Sequence, residues 1–103
     1  MMIIISTTNG YNHRRYTRPW CARVSTWTNK QPILAWGDYL GDSEHGGRCQ
    51  VEAAPGDVVR WGQKDLRRGD KSESHWGIIT TSGMVIGCTA AEAYDAYHQR
   101  SET

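Results

Sequence analysis

The chain has 103 residues, which is enough for one modest hydrophobic core and too few for two. It has five Trp, five Tyr and no Phe, and its formal net charge is +1. The apolar segment 1–5 is too short for a membrane span and lacks the features of a signal peptide. The sequence therefore predicts one soluble, cytoplasmic domain.

The near-neutral net charge conceals a segregation along the chain. Residues 1–31 carry five cations and no acid, whereas residues 32–57 carry five acids and a single cation. A second basic cluster follows at Lys64, Arg67, Arg68 and Lys71, where Asp65 and Asp70 dilute it. This asymmetry predicts an anionic partner for the N-terminal region. The alternative is that the blocks neutralise one another across the folded surface.

The apolar pattern predicts an α+β, mainly β fold, with an antiparallel sheet of about six or seven strands that is rolled or barrel-like. Alternation predicts strands at 20–27 and 48–53, and apolar runs predict strands at 2–7, 33–40, 75–81 and 84–88. In 20–27, the face with Ala22 and Val24 is expected to be inward. Gly37 inside the third strand indicates a bulge or a close backbone approach. Residues 41–47 and 64–74 are predicted loops.

The Pro55-Gly56 pair predicts a type II turn, because proline presets φ at the first central position and glycine tolerates the positive φ of the second. The segments on either side are predicted to form a hairpin at the centre of the sheet. At the C-terminus, Thr89 and Glu92 have capping-box spacing. They predict a helix over about 90–100 that packs on the sheet through a stripe of small and aromatic side chains: Ala90, Ala93, Tyr94 and Tyr97.

The segment Tyr11–Trp20 is the most informative for function. It interleaves arginines, which pair with phosphates, and aromatic rings, on which unpaired bases stack. The same residue types are enriched at protein–protein hot spots, and a purely structural role is the third interpretation. The predicted binding residues of the whole chain are Tyr11, His13, Arg14, Arg15, Tyr16, Arg18, Trp20, Lys64, Arg67 and Arg68.

Catalytic and metal motifs are not evident. Three cysteines without C-x-x-C spacing predict reduced thiols, and His45 with Cys49 does not have zinc-finger spacing. The chain is therefore expected to need no metal or cofactor and not to be an enzyme. The remaining enzymatic alternative is a metal-free ribonuclease, in which His13 or His75 would be the general base and Lys64 or Arg14 would stabilise the phosphorane.

Two segments, Tyr16–Val24 and Pro55–Asp65, give the chain a resemblance to small accessory proteins of bacteriophages and mobile elements, the group that includes anti-CRISPR inhibitors. The likeness lies in small size and a charged, aromatic surface. It implies stoichiometric binding to a host defence complex, often at its nucleic-acid site, and transfers no residue roles. Pro55–Val59 also resembles the opening turn of SH3-like barrels, including ribonuclease toxins. Direct binding of RNA or single-stranded DNA is the alternative to an inhibitor, and the oligomeric state is left open.

Overall fold

The structure, a computed structural model, describes residues 1–8, 17–28, 31–43, 46–65 and 71–101. These residues form eight strands and one helix, so the predicted mainly β fold with a C-terminal helix is confirmed. The strands are β1 (Met2–Thr8), β2 (Thr17–Thr28), β3 (Gln31–Trp36), β4 (Asp38–Ser43), β5 (Gly46–Glu52), β6 (Val58–Asp65), β7 (Lys71–Ile79) and β8 (Val85–Cys88), and the helix is α1 (Ala90–Ser101).

The strands form two antiparallel sheets, which differs from the single rolled sheet that the sequence predicts. One sheet has the order β1-β5-β4 and the other has the order β3-β2-β6-β7-β8. Both sheets are open, and neither closes into a barrel across the described residues. One core lies between the sheets, with contributions from Ile3, Val51, Val59 and Ile79, and a second core lies between the five-stranded sheet and α1. The fold therefore has three layers.

The Pro55-Gly56 turn connects the two sheets, so the predicted type II turn is confirmed but the predicted hairpin is wrong. Gly56 has φ +89°, and the Asp57 backbone N–H donates to the Ala54 carbonyl at 3.0 Å. The strands that it joins, β5 and β6, belong to different sheets. Each has a buried apolar face, carried by Val51 and Val59, and stacking the strands in facing sheets buries both faces together.

Gly37 is the residue at which the predicted strand 33–40 divides into β3 and β4. Its N–H donates to the Cys21 carbonyl at 2.8 Å, and the chain then leaves the five-stranded sheet for the three-stranded one. A Cβ at this position would lie 2.2 Å from the Gln50 carbonyl oxygen and 2.7 Å from the Cys21 sulfur. The predicted close approach of backbone at Gly37 is therefore confirmed, and only glycine fits there.

Strand β2 is buried on both faces, which the predicted alternation does not anticipate. Val24 and Trp27 contact the helix-side core, and Cys21 contacts the core between the sheets. The register with β3 shifts between Val24 and Thr26, so Ser25 is an extra residue. This bulge moves Trp27 from the Cys21 face to the Val24 face, because one inserted residue reverses the side-chain parity beyond it.

Cys21 and Cys49 form a disulfide between the two sheets, and Cys88 is a free thiol. The expectation of three reduced thiols is wrong, because the facing positions of β2 and β5 bring two distant cysteines together in the core. Closing a loop with a sequence separation of 28 residues corresponds to a stabilisation of about 3–4 kcal/mol. The expected cytoplasmic location loses its support from reduced thiols, since disulfides are typical of oxidising compartments.

The two predicted loops are shorter than expected. Strand β4 continues to Ser43 and β5 begins at Gly46, so most of the predicted loop 41–47 is paired sheet. Similarly, β6 continues to Asp65 and β7 begins at Lys71, which leaves 66–70, including the predicted Gly69-Asp70 tip, outside the described residues. Polar composition alone indicated loops at both places, but one solvent-facing side of a sheet accepts the same residues.

The helix α1 begins with the predicted capping box. The Glu92 N–H donates to the Thr89 hydroxyl at 3.1 Å, and the Thr89 N–H donates to the Glu92 carboxylate at 3.0 Å. Hydrogen bonding to the Glu92 carboxylate by Thr89, chiefly by its backbone N–H and then by its side chain, lowers the pKa of Glu92. Ala93 is buried and Tyr97 packs on the core, as predicted, whereas Ala90 and Tyr94 are exposed. No helix within the described ranges is long and apolar enough to cross a bilayer.

Replacing Thr89 with alanine is expected to lower the free energy of unfolding by about 1 kcal/mol, because an N-cap hydroxyl is removed. A part of this loss should disappear as acid protonates Glu92, because the Thr89 side chain contributes to the lowered pKa of that carboxylate and so stabilises the fold above the unfolded-state pKa. The larger contribution comes from the Thr89 backbone N–H and is retained in the alanine variant. Urea unfolding of both proteins at two pH values measures this. Thr89→Ser should retain the wild-type stability, and equal stability of the alanine variant would contradict the cap.

Candidate functional site

Three of the predicted binding residues, Arg18, Trp20 and Lys64, are described, and they lie on one face of the five-stranded sheet. Arg18 is directly opposite Lys64 in the β2–β6 register, and Lys64 is opposite Lys71 in the β6–β7 register. The N-terminal basic cluster, through Arg18, thus lies beside the second basic cluster, through Lys64. The other predicted binding residues lie outside the described residues: Tyr11, His13, Arg14, Arg15, Tyr16, Arg67 and Arg68.

The register places three cationic residues side by side on adjacent strands. Arg18 and Lys64 are both exposed, and like charges directly opposite each other destabilise a sheet. Arg18 also lies over the Tyr39 ring, with its guanidinium carbon 4.7 Å from the ring centroid. Tyr39 belongs to β4 of the other sheet. By this rule the Arg18–Lys64 pair lowers the stability of the fold.

A second row, which contains two tryptophans and an arginine, crosses the same face four residues further along β2. Trp36, Ala22, Arg60, Trp76 and Cys88 are successive register partners on β3, β2, β6, β7 and β8. Trp20 lies between this row and the row of cations, and its ring meets that of Trp36 edge to face at 5.5 Å. Four residues of strand separate the two rows by about 13 Å. Cations and rings therefore alternate over one continuous surface.

Arg60 is held between two of these rings. Its guanidinium carbon lies 4.7 Å from the Trp76 centroid and 5.9 Å from the Trp20 centroid, and its Nε donates to the Ser74 hydroxyl. The Trp20 indole N–H in turn donates to the Gln63 carbonyl at 3.2 Å. These contacts fix the orientation of the rings and of the cation before any partner binds, which lowers the entropic cost of binding.

The helix α1 covers only one end of this face. Trp27 stacks on Trp76 at 4.9 Å beneath the helix, and Ala93 and Tyr97 complete that core. Among the described residues, the face is open beyond Trp76, and Trp36 is 55% exposed. We call this open surface the platform and define it by six residues: Arg18, Trp20, Trp36, Arg60, Lys64 and Trp76.

Half of the platform was not identified from sequence. Trp36, Arg60 and Trp76 are each isolated within an apolar segment, so nothing in their local sequence indicates binding. Arg60 offered the one available clue, since a charged residue follows the buried pair Val58-Val59 within a strand. The strand register then brings the three together, and register depends on pairing between distant segments.

Among the described residues, the side chains that could act in catalysis are not grouped into a site. His75 stacks on Trp61 with ring centroids 5.7 Å apart, and His13 lies outside the described residues. Burial, followed by the nearby Glu92 carboxylate, raises the pKa of the Cys88 thiol. Cys88 is therefore protonated near neutral pH and is a poor nucleophile. Within the described ranges, no three His, Cys, Asp or Glu side chains are grouped closely enough to hold a metal ion.

Comparison with known proteins gives no indication of function, so the proposal below is based on the geometry of the platform. No protein-family model, no curated protein and no solved structure matches the chain.

Proposed function

We propose that this protein is a non-enzymatic binding protein whose platform takes single-stranded nucleic acid. The observation that carries the proposal is the adjacency of Arg18 and Lys64 to the rings of Trp20 and Trp36 on one open sheet face. Proteins that bind single strands combine a cationic track for phosphates with rings on which bases stack. The platform offers both, at a spacing set by the rigid sheet.

Each part of the platform has a distinct role in this proposal. Arg18 and Lys64 neutralise phosphate, which also relieves their mutual repulsion. Trp36 presents the most exposed ring for stacking, since Trp20 and Trp76 are only partly exposed. Arg60 is positioned by Trp76 and Ser74 so that its remaining N–H donors lie beside the rings, where a phosphate between two stacked bases would run. Stacking of this kind contributes about 1–3 kcal/mol per base.

A fluorescence-anisotropy titration with short labelled oligo-dT and oligo-rU tests this function. Binding is expected to weaken steeply between about 50 and 200 mM salt, because each neutralised phosphate releases counterions. The duplex of the same length should bind more weakly, since its bases cannot reach the rings. Oligo-rU should be recovered intact, and cleavage that His75→Ala removes would instead support the ribonuclease alternative. Absence of binding at low salt would overturn the proposal.

A protein target is the second candidate, favoured by exposed apolar side chains on β3 and β4. Ile33 is 61% exposed on the strand of Trp36, although it points to the opposite face, and Leu40 is 37% exposed on the strand of Tyr39. Trp, Tyr and Arg are also the residues enriched at interface hot spots. In this case the protein would be an inhibitor of the bacteriophage or mobile-element type that occludes a host nucleoprotein complex. Oligonucleotide binding that is absent at low salt, with a protein complex recovered from bacterial lysate, would support it.

A further inference from the structure

A groove of about 420 Å³ opens beside the platform where β8 ends. It is lined by Trp61, Ser74, His75, Trp76, Gly87, Cys88, Thr89 and Ala90. Cys88 is the last residue of β8 and pairs with Trp76, so β7 continues past the end of β8 toward Ser74 and His75. The groove therefore lies at a sheet edge where the backbone of β7 is not covered by β8.

The groove shares Trp76 with the platform, and a second lining residue, Ser74, contacts the platform. Trp76 carries the Arg60 guanidinium on its ring, and Ser74 accepts the hydrogen bond from Arg60 Nε. A nucleic-acid strand that lies on the platform and passes Arg60 therefore reaches this groove next. Continuity with the platform, rather than the cavity alone, indicates what the groove would hold.

The walls of the groove suit a flat aromatic ring. On the face between the sheets, one wall is formed by Trp61 and His75, whose rings stack at 5.7 Å. On the platform face, the other wall is formed by Trp76, whose ring already contacts Trp27 and the Arg60 guanidinium. Gly87 leaves space at the bottom, since a Cβ there would have its nearest neighbour, the Trp76 carbonyl oxygen, at 4.0 Å. Because backbone groups of adjacent strand residues point to opposite sides, Ser74 or His75 directs an N–H and a C=O toward the groove. Those groups can pair with the edge of a base.

From these contacts we propose that the groove is a base-binding subsite, which takes one unpaired nucleobase of the strand on the platform. The proposal rests on the proposed function of the platform and assigns it a second place of contact. One base would then stack on the rings of Trp20 and Trp36, and the next base would occupy the groove. Arg60 lies between these two positions and neutralises the phosphate that joins the two nucleotides.

The test removes single bases from the shortest oligo-dT that retains full affinity, and repeats the series with Gly87→Val. In the wild-type protein, an abasic site at the groove position is expected to weaken binding by about 5-fold to 100-fold. Valine fits a strand and narrows the groove at this wall, so the groove position should have a smaller effect in the variant while the other positions retain theirs. Ile86→Val, on the same strand but not lining the groove, should behave as wild type.

Position effects that are the same in wild type and Gly87→Val would overturn the groove assignment, even if binding itself remains dependent on salt. Absence of oligo-dT binding at low salt would instead overturn the function of the platform. Should Gly87→Val fail to fold, His75→Ala serves in its place, because it removes an exposed wall of the groove without disturbing the core. In His75→Ala, an abasic site at the groove position should no longer weaken oligo-dT binding. Position effects equal to those of the wild-type protein would again reject the subsite.

Discussion

Replacing Gly37 with alanine is expected to destabilise the protein by about 3 kcal/mol or more, at or beyond the upper end of typical overpacking effects. The added Cβ would lie 2.2 Å from the Gln50 carbonyl oxygen, which is backbone and cannot rotate away. It would also lie 2.7 Å from the Cys21 sulfur, which the disulfide to Cys49 holds in place. The two sheets would have to separate to accommodate it. Urea unfolding midpoints measure the difference.

Gly87→Ala is the matched control for this experiment. Gly37 joins β3 to β4, whereas Gly87 lies within β8, where a Cβ would have only one neighbour, at 4.0 Å. Alanine at Gly87 should leave stability unchanged or raise it slightly, because it restricts the unfolded chain. A Gly37→Ala variant as stable as Gly87→Ala would show that the crossing between the sheets is not tightly packed.

Reversing the charge of Arg18 or of Lys64 is expected to weaken oligo-dT binding by at least about tenfold, because attraction to a phosphate becomes repulsion. The slope of log affinity against log salt should also become shallower by about 0.7 for each phosphate that is no longer neutralised. The fold should not suffer. Lys64→Glu converts a like-charge pair directly across two strands into an opposite-charge pair, which is expected to add about 0.2–1 kcal/mol of stability. In Arg18→Glu the loss of the cation–π contact with Tyr39 should offset this gain.

Arg48→Glu provides the control with the same change in net charge. Arg48 is exposed on β5 of the three-stranded sheet, away from the row of Arg18 and Lys64. Its reversal should change affinity much less than either platform variant. Equal losses of affinity in all three variants would indicate attraction by overall charge, and the platform would then have no specific part in binding.

Those parts of the fold that depend on neighbouring residues were predictable from sequence. The Pro55-Gly56 turn, the strand predicted over 48–53 and the capping box at Thr89 each follow from residues within a few positions of one another. The division into two sheets was not predictable, because it depends on β1 pairing with β5 rather than with its neighbour in sequence. The disulfide between Cys21 and Cys49 follows from that same long-range packing.

The candidate site divides in the same way. Arg18 and Trp20 were identified because arginines and rings are concentrated within one short segment. Trp36, Arg60 and Trp76 come from three separate strands, and only the register aligns them. The bulge at Ser25 further changes the side-chain parity at the end of β2. A pattern of alternation within a single strand cannot report either effect.

The contact between Arg18 and Tyr39 gives this arrangement a thermodynamic consequence. Arg18 belongs to one sheet and Tyr39 to the other, so a ligand held by Arg18 depends on how the two sheets are docked. Binding and folding are then linked, since a ligand that prefers the docked arrangement adds its binding free energy to that of the fold. By reciprocity, a change that loosens the docking of the two sheets, such as reduction of the Cys21–Cys49 disulfide between them, would also lower the affinity of the proposed platform for its ligand.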